Sequence, residues 1–304
     1  MEPIKFKIDD KILAKMLKFY DSQMVPIAAD ERLLLKAHAI DCEIAVDEDM
    51  TATFTGGNAM HEAANWSSRL AKKIEDEMNR ETFCTQPHIG AAETGSGDYI
   101  GPLCVVACYL DEDGIAFMKT LNIEDVDKLT NKEIVTYAQQ IKQKTIASLL
   151  VLDNSHYNNM IDKGINQANI RARLFNTALV NVLQKTQKTV DFKVMEKYIS
   201  PKTYYNYLKN EVIIVRDLKF EKDADKQYLA VLAAEIISRY AYLQYYASMT
   251  KSLKTQLARG TGASVDSIVV QLAKKYGEKI LTKIVKLNFT DTKRVRAALA
   301  EDRT

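Results

Sequence analysis

The chain is poor in the residues that staple, bend or anchor a protein. Its 304 residues include four cysteines, five prolines, eleven glycines and one tryptophan. Four cysteines are too few for a disulfide framework at this length. No Cys-x-x-Cys pair occurs and the four histidines are scattered, so a zinc site is not expected. No apolar run approaches the ~20 residues that a membrane helix needs. Glu2, Asp9 and Asp10 within the first ten residues argue against a secretory leader. These absences predict a soluble, cytoplasmic protein with no membrane partner. Repeats and low-complexity tracts are also missing. So is charge of one sign: 42 basic side chains stand against 40 acidic ones, a formal net charge of +2.

What is present is globular composition, 47% hydrophobic and 27% charged. That excludes disordered, collagen-like and fibrous chains and allows one large domain or two ordinary ones. Charge is unevenly spread. Residues 1–80 hold 11 basic against 15 acidic side chains, whereas residues 251–304 hold 12 against 5. A basic C-terminal end points to a phosphate-bearing partner or, equally well, to a solvated helix face.

Residues 4–8 alternate as a strand does, and Asp9-Asp10 offer an N-cap for a helix over residues 11–20. Strand-like runs follow at 32–39, 42–46 and 51–55, the last two joined by an acidic turn at Asp47–Asp49. Gly56-Gly57-Asn58 then leads into a helix through Trp66 and Leu70 towards Met78. This order predicts a small α+β domain over 1–82, with a boundary near 79–87, and a second domain over 83–304. The second opens on a glycine-rich turn, Gly90 to Gly101, followed by the apolar run 103–110. Cys104 and Cys108 lie four apart in that run, so a strand points both to one face as core thiols. Helices are predicted at 130–144, 166–184, 225–246, 265–276 and 290–299, with strands at 148–152 and 192–195. Alternating strands and helices predict an α/β domain with a mixed sheet.

The densest chemical signal runs from His88 to Pro102, His-Ile-Gly-Ala-Ala-Glu-Thr-Gly-Ser-Gly-Asp-Tyr-Ile-Gly-Pro. Its glycines and proline impose a turn of unusual dihedrals that another backbone can approach closely. No complete Gly-x-Gly-x-x-Gly is present, so a dinucleotide site is a weak reading. Glu93, beside these glycines, reads on its own as a solvated turn residue or a ligand. Glu196 follows Val194-Met195, where a strand-end carboxylate or an edge charge would both fit. Asp225 could simply cap a helix. Trp66 and the Tyr204, Tyr205 and Tyr207 cluster could stack on bases, with core packing the safer reading. Arg259, Lys251 and Lys254 could meet phosphates or only solvent.

The stretch 88–102 resembles the first motif of bacterial ribonuclease HIII, in the type 2 ribonuclease H family, usually Gly-Ser-Asp-Glu-(Val/Ala)-Gly-(Thr/Ser)-Gly-Asp-Tyr-Phe-Gly-Pro. Further stretches resemble that family in order. They are Glu124 to Thr130, Tyr157-Asn158, Arg171 to Asn176, Met195 to Tyr198, Ala224-Asp225 into Ile236 to Ala241, and Gly260 to Asp266. The unit before residue 83 resembles the TBP-like substrate-binding domain of this branch. The resemblance implies a ribonuclease H-like mixed sheet flanked by helices, acting as a monomer on RNA/DNA hybrids. It implies hydrolysis of the RNA strand by two Mg²⁺ or Mn²⁺ held on four carboxylates. The backbone of Gly95-Ser96-Gly97, with Tyr99, would meet the nucleic acid and read 2′-hydroxyls.

Carried over one by one, the four acids become Ala92, Glu93, Glu196 and Asp225, for the usual Asp, Glu, Asp and Glu. Alanine ligates nothing. A Glu for an Asp moves a carboxylate by about 1.3–1.5 Å, beyond the ~0.5 Å tolerance of a catalytic constellation. Asp98 aligns with a residue that is not a primary ligand. Around the acids, a Ser-Lys pair becomes Val126-Asp127, a basic position becomes Asp223, a His becomes Phe175 and a Ser becomes Glu235. Such changes fit natural divergence better than one engineered exchange at residue 92. Three readings follow: an endoribonuclease with an altered metal site, a non-cutting nucleic-acid binder, or a scaffold without nucleic-acid affinity.

Overall fold

A computed structural model describes residues 3–72, 84–123 and 125–301. The predicted helix end near Met78, most of the predicted boundary, and Glu124 lie outside the described residues. The chain divides into two compact units, Met1–Thr82 and Phe83–Thr304.

The first unit is a four-stranded antiparallel sheet carrying helices. Strands β1 (Ile4–Lys7), β2 (Leu33–Ala39), β3 (Cys42–Asp47) and β4 (Thr51–Thr55) stand in the order β1-β4-β3-β2. Helix α1 (Asp10–Phe19) begins where Asp9 accepts the Ile12 N–H at 2.8 Å, the predicted cap. Met16, Leu35, Ile44, Val46 and Phe54 fill the core. The single helix expected through Trp66 is broken: α2 (Ala59–Ala64) stops short, and helical backbone resumes at 68–72. Trp66 sits in the break, where its indole N–H donates to the Tyr20 hydroxyl at 2.8 Å. It is a packing residue, partly buried against this core.

The second unit is built on five strands. They are β5 (His88–Thr94), β6 (Leu103–Leu110), β7 (Ile146–Leu152), β8 (Lys193–Glu196) and β9 (Leu218–Glu221), in the order β7-β6-β5-β8-β9. β5, β6 and β7 pair antiparallel, while β5, β8 and β9 run parallel, so the sheet is mixed. β6 is buried over all eight residues, as its unbroken apolar run dictates. Cys104 and Cys108 are buried free thiols within it.

Helices follow in chain order: α3 (Glu112–Thr120), α4 (Asn131–Lys144), α5 (Asn154–Asp162), α6 (Gln167–Thr186) and α7 (Pro201–Tyr207). They continue with α8 (Leu229–Leu253), α9 (Ala263–Tyr276), α10 (Leu281–Ile284) and α11 (Asp291–Glu301). Thr130 and Glu133 form a reciprocal capping box that starts α4. α8 packs on one sheet face and α6 on the other. Gly90, expected in a turn, is instead mid-strand in β5. A Cβ there would lie 2.2 Å from the Val231 nitrogen, so the glycine lets the α8 backbone seat directly on the sheet. No helix among the described residues is long and apolar enough to cross a membrane.

Candidate active-site cleft

Parallel strands present their C-terminal ends together, and the site forms there. β5 and β8 are direct neighbours, so Glu93 near the end of one lies beside Glu196 at the end of the other. The two line a cleft of about 340 Å³ together with Ala92 and Asp225. Asp125, Asp127, Asp223 and Glu235 bring the carboxylates to seven, against only Arg171 and Lys226.

Each acid is held differently. Glu196 accepts the backbone N–H groups of Ala224 at 2.9 Å and Asp223 at 3.3 Å. It thereby fixes the turn that carries Asp225. That residue, expected at a helix start, sits in a 3-10 turn at Ala224–Lys226, and α8 begins only at Leu229. Burial raises the Asp225 carboxyl above its ordinary value. Burial also raises Glu196, with Asp225 and Asp223 adding repulsion against the two N–H groups. Glu235 enters from α8; burial first, then Asp225, Asp127 and Glu196, push it up to about 7.

Glu93 is bound to a cation already. Its Oε1 lies 2.7 Å from Arg171 Nη2, with the two side chains only 11% and 20% exposed. Burial raises the Glu93 carboxyl and the Arg171 charge opposes that rise. Ala92 is 5% exposed and packs in the apolar cluster with Val106, Val194 and Ala230.

The glycine turn flanks the cleft. Gly95 has a φ of +98°, and a Cβ there would also meet the Pro102 carbonyl oxygen at 2.3 Å, so both backbone and space call for glycine. Gln167 of α6 donates to the Ser96 carbonyl at 2.7 Å, and Gly97 has open space where a side chain would go. Asp98 accepts the Gly260 N–H at 2.6 Å and pairs with Arg259 at 3.3 Å. It is thus committed to the C-terminal helices and cannot replace the missing acid. Buried Lys286 donates to the carbonyls of Asp98 at 2.8 Å and Gly101 at 2.6 Å, its amine pushed down to about 8 by burial.

Tyr99 corrects the sequence expectation. Its side chain is fully buried, stacked on Phe289, with its hydroxyl 3.0 Å from Thr292 Oγ1. It locks the turn onto the C-terminal helices and leaves no phenol for nucleic acid. Tyr204 is likewise buried core. Sequence reasoning gave no role to Arg171 or Lys286. Arg171 opens a stretch that resembles the family and Lys286 carries only its charge, and nothing in a linear sequence marks which basic residues are buried.

Two-metal chemistry requires carboxylates free to face the ions, and these residues do not fit it. A methyl group stands at 92 and can ligate nothing, Glu93 Oε1 faces a guanidinium, and each Glu196 oxygen accepts one backbone N–H. Among the described residues no group of three or more His, Cys, Asp or Glu is placed to hold a metal ion.

The profile of the family described as Ribonuclease HII matches residues 89–292. A protein named Ribonuclease HIII from Bacillus anthracis is 30% identical over 302 residues, 96% of this chain and 97% of that one. One of the same name from Bacillus mycoides is 31% identical over 272 residues, covering 86% and 87%. The crystal structure of Bst-RNase HIII in complex with Mn²⁺ superposes with a TM-score of 0.71 at 25% identity, covering 99% of this chain and 100% of that one. Aquifex aeolicus RNase H3 shares the fold, with a TM-score of 0.55 at 20% identity and coverage of 94% and 100%.

Proposed function

The chain belongs to the ribonuclease HII family, among its ribonuclease HIII relatives, and from that premise we propose that it binds RNA/DNA hybrids without hydrolysing them. The observation that carries this reading is Ala92. The acidic cleft, the glycine turn and the sheet are retained, yet the strand position that should carry the first carboxylate holds a buried methyl. One relative, Bst-RNase HIII, was solved in complex with Mn²⁺. Mg²⁺ or Mn²⁺ would be the ions sought here, and the side chains at Ala92, Glu93, Glu196 and Asp225 do not offer them a site.

Binding rests on other parts of the chain. The backbone at Gly97 stands clear of bulk and supplies the approach by which 2′-hydroxyls distinguish RNA from DNA. The seven carboxylates repel phosphates from the cleft floor, so the backbone of the hybrid runs along its rim. The small first unit, with Lys5 exposed on an outer strand, adds a second grip, while Lys7 beside it is paired with Asp49.

A titration of fluorescent hybrid at several salt concentrations tests the reading. Affinity should fall linearly on a double-logarithmic plot, with RNA/DNA bound more tightly than DNA duplex. Failure to bind hybrid at low salt would refute it.

A further inference from the structure

The cation beside Glu93 is covalently part of the protein. Arg171 projects from the first turns of α6 and meets Glu93 Oε1 at 2.7 Å. Its guanidinium lies 3.7 Å over the Tyr198 ring. The Tyr198 hydroxyl in turn donates to the Ala168 carbonyl of the same helix at 3.2 Å. Phe175, one turn beyond Arg171, stacks on that ring with centroids 5.8 Å apart. The guanidinium is therefore clamped between carboxylate and aromatic face, an arrangement suited to arginine's planar, weakly hydrated charge.

The pair is not a relaxed surface bridge. Glu93 Oε2 and Arg171 Nε are both buried without a hydrogen-bond partner among the described residues. A buried carboxylate keeps its charge only with a counter-charge at hand, and here Arg171 supplies it. A divalent ion at Glu93 would have to sit against this guanidinium. Like charges a few ångströms apart repel, and at position 92, next to Glu93 on the strand, no carboxylate stands to offset that repulsion.

We propose that Arg171 is the resident cation of the cleft, filling at Glu93 the electrostatic role of a divalent metal, so that the protein folds and binds nucleic acid without Mg²⁺ or Mn²⁺. This rests on the reading of the cleft as the family's nucleic-acid site. It goes further by assigning the charge balance to a named side chain.

Two measurements on the full chain test it. The electron paramagnetic resonance signal of free Mn²⁺ reports uptake, and thermal unfolding with and without millimolar Mn²⁺ reports stabilisation. The wild-type chain should leave the free Mn²⁺ signal intact and unfold at the same temperature in both conditions. Arg171→Gln, which frees Glu93, should take up Mn²⁺ and gain about 3–6 °C in its presence. Arg171→Lys keeps a positive charge and should stay silent. Uptake of Mn²⁺ by the wild type, or by Arg171→Lys as strongly as by Arg171→Gln, would overturn the proposal. So would an Arg171→Gln chain that folds and ignores Mn²⁺. Should Arg171→Gln not fold, the wild-type and Arg171→Lys signals decide alone: uptake in either overturns the proposal, and silence in both supports it. Hybrid binding in EDTA separates the two ideas: its complete absence sinks the proposed function, while the Mn²⁺ response of the free protein still judges Arg171.

Discussion

Glu196 Oε2 accepts the Ala224 N–H at 2.9 Å, and this bond ties the end of one parallel strand to the turn that presents Asp225. The Asp223 N–H adds a second bond to the other oxygen at 3.3 Å. Two acids that a hydrolytic reading would set side by side on metal are instead linked as support and supported. Glu196→Ala should cost about 1–3 kcal/mol, the usual range for leaving partly buried donors without an acceptor. Urea denaturation measures it, and an unchanged midpoint would show that the turn holds itself.

Glu235 predicts a pH dependence. Its carboxyl is raised from 4.5 to about 7, by burial first and then by Asp225, Asp127 and Glu196. The folded state thus keeps a proton that the unfolded chain releases near 4.5. The associated stability is complete below that value and is lost as pH rises through about 7, amounting to about 3 kcal/mol. Glu235→Gln should remove this loss between about pH 5 and pH 8. Parallel stability profiles for variant and wild type would contradict it.

At Gly90 the prediction is steric. Backbone atoms of Ala230 and Val231 stand 2.2 to 2.7 Å from where a Cβ would go, and backbone cannot swing aside. Gly90→Ala should destabilise the second unit by about 3 kcal/mol or more. Calorimetry of the variant would show this as a lowered unfolding temperature.

Ala92→Asp should not restore turnover by itself. Arg171 would still hold Glu93, and Glu196 would still engage the Asp223 and Ala224 N–H groups. The new carboxylate would enter an apolar cluster, costing about 1–3 kcal/mol in stability. Assay of a labelled hybrid with Mg²⁺ or Mn²⁺ would expose any gain, and family-like cleavage from this one change would disprove the account.

Much of the fold was legible because local patterns and tertiary demands coincide. Alternation located β3 and β4, and the apolar run of β6 gave its exact extent. β5 was obscured because Gly90 reads as turn chemistry, whereas its purpose is close contact with a helix some 140 residues later. Residues 225–228 hold no Gly or Pro to mark a break before α8, yet Glu196 fixes the Asp223 and Ala224 N–H groups and sets Ala224–Lys226 apart as a separate turn. The convergence of Ala92, Glu93, Glu196 and Asp225 was readable from motif order. The Arg171 pairing was not, because its partner lies 78 positions away and a polar helix face gives no hint of burial. Tyr99 failed for a similar reason: a tyrosine beside an exposed turn can point inward as easily as out.

The central claim is that this cleft no longer performs two-metal hydrolysis. Its most direct test is a single-turnover reaction, with protein in excess over an end-labelled RNA/DNA hybrid in Mg²⁺ and then in Mn²⁺. The account predicts hybrid bound and recovered intact in both. Metal-dependent RNA fragments, absent with EDTA and abolished by Glu93→Gln, would contradict it.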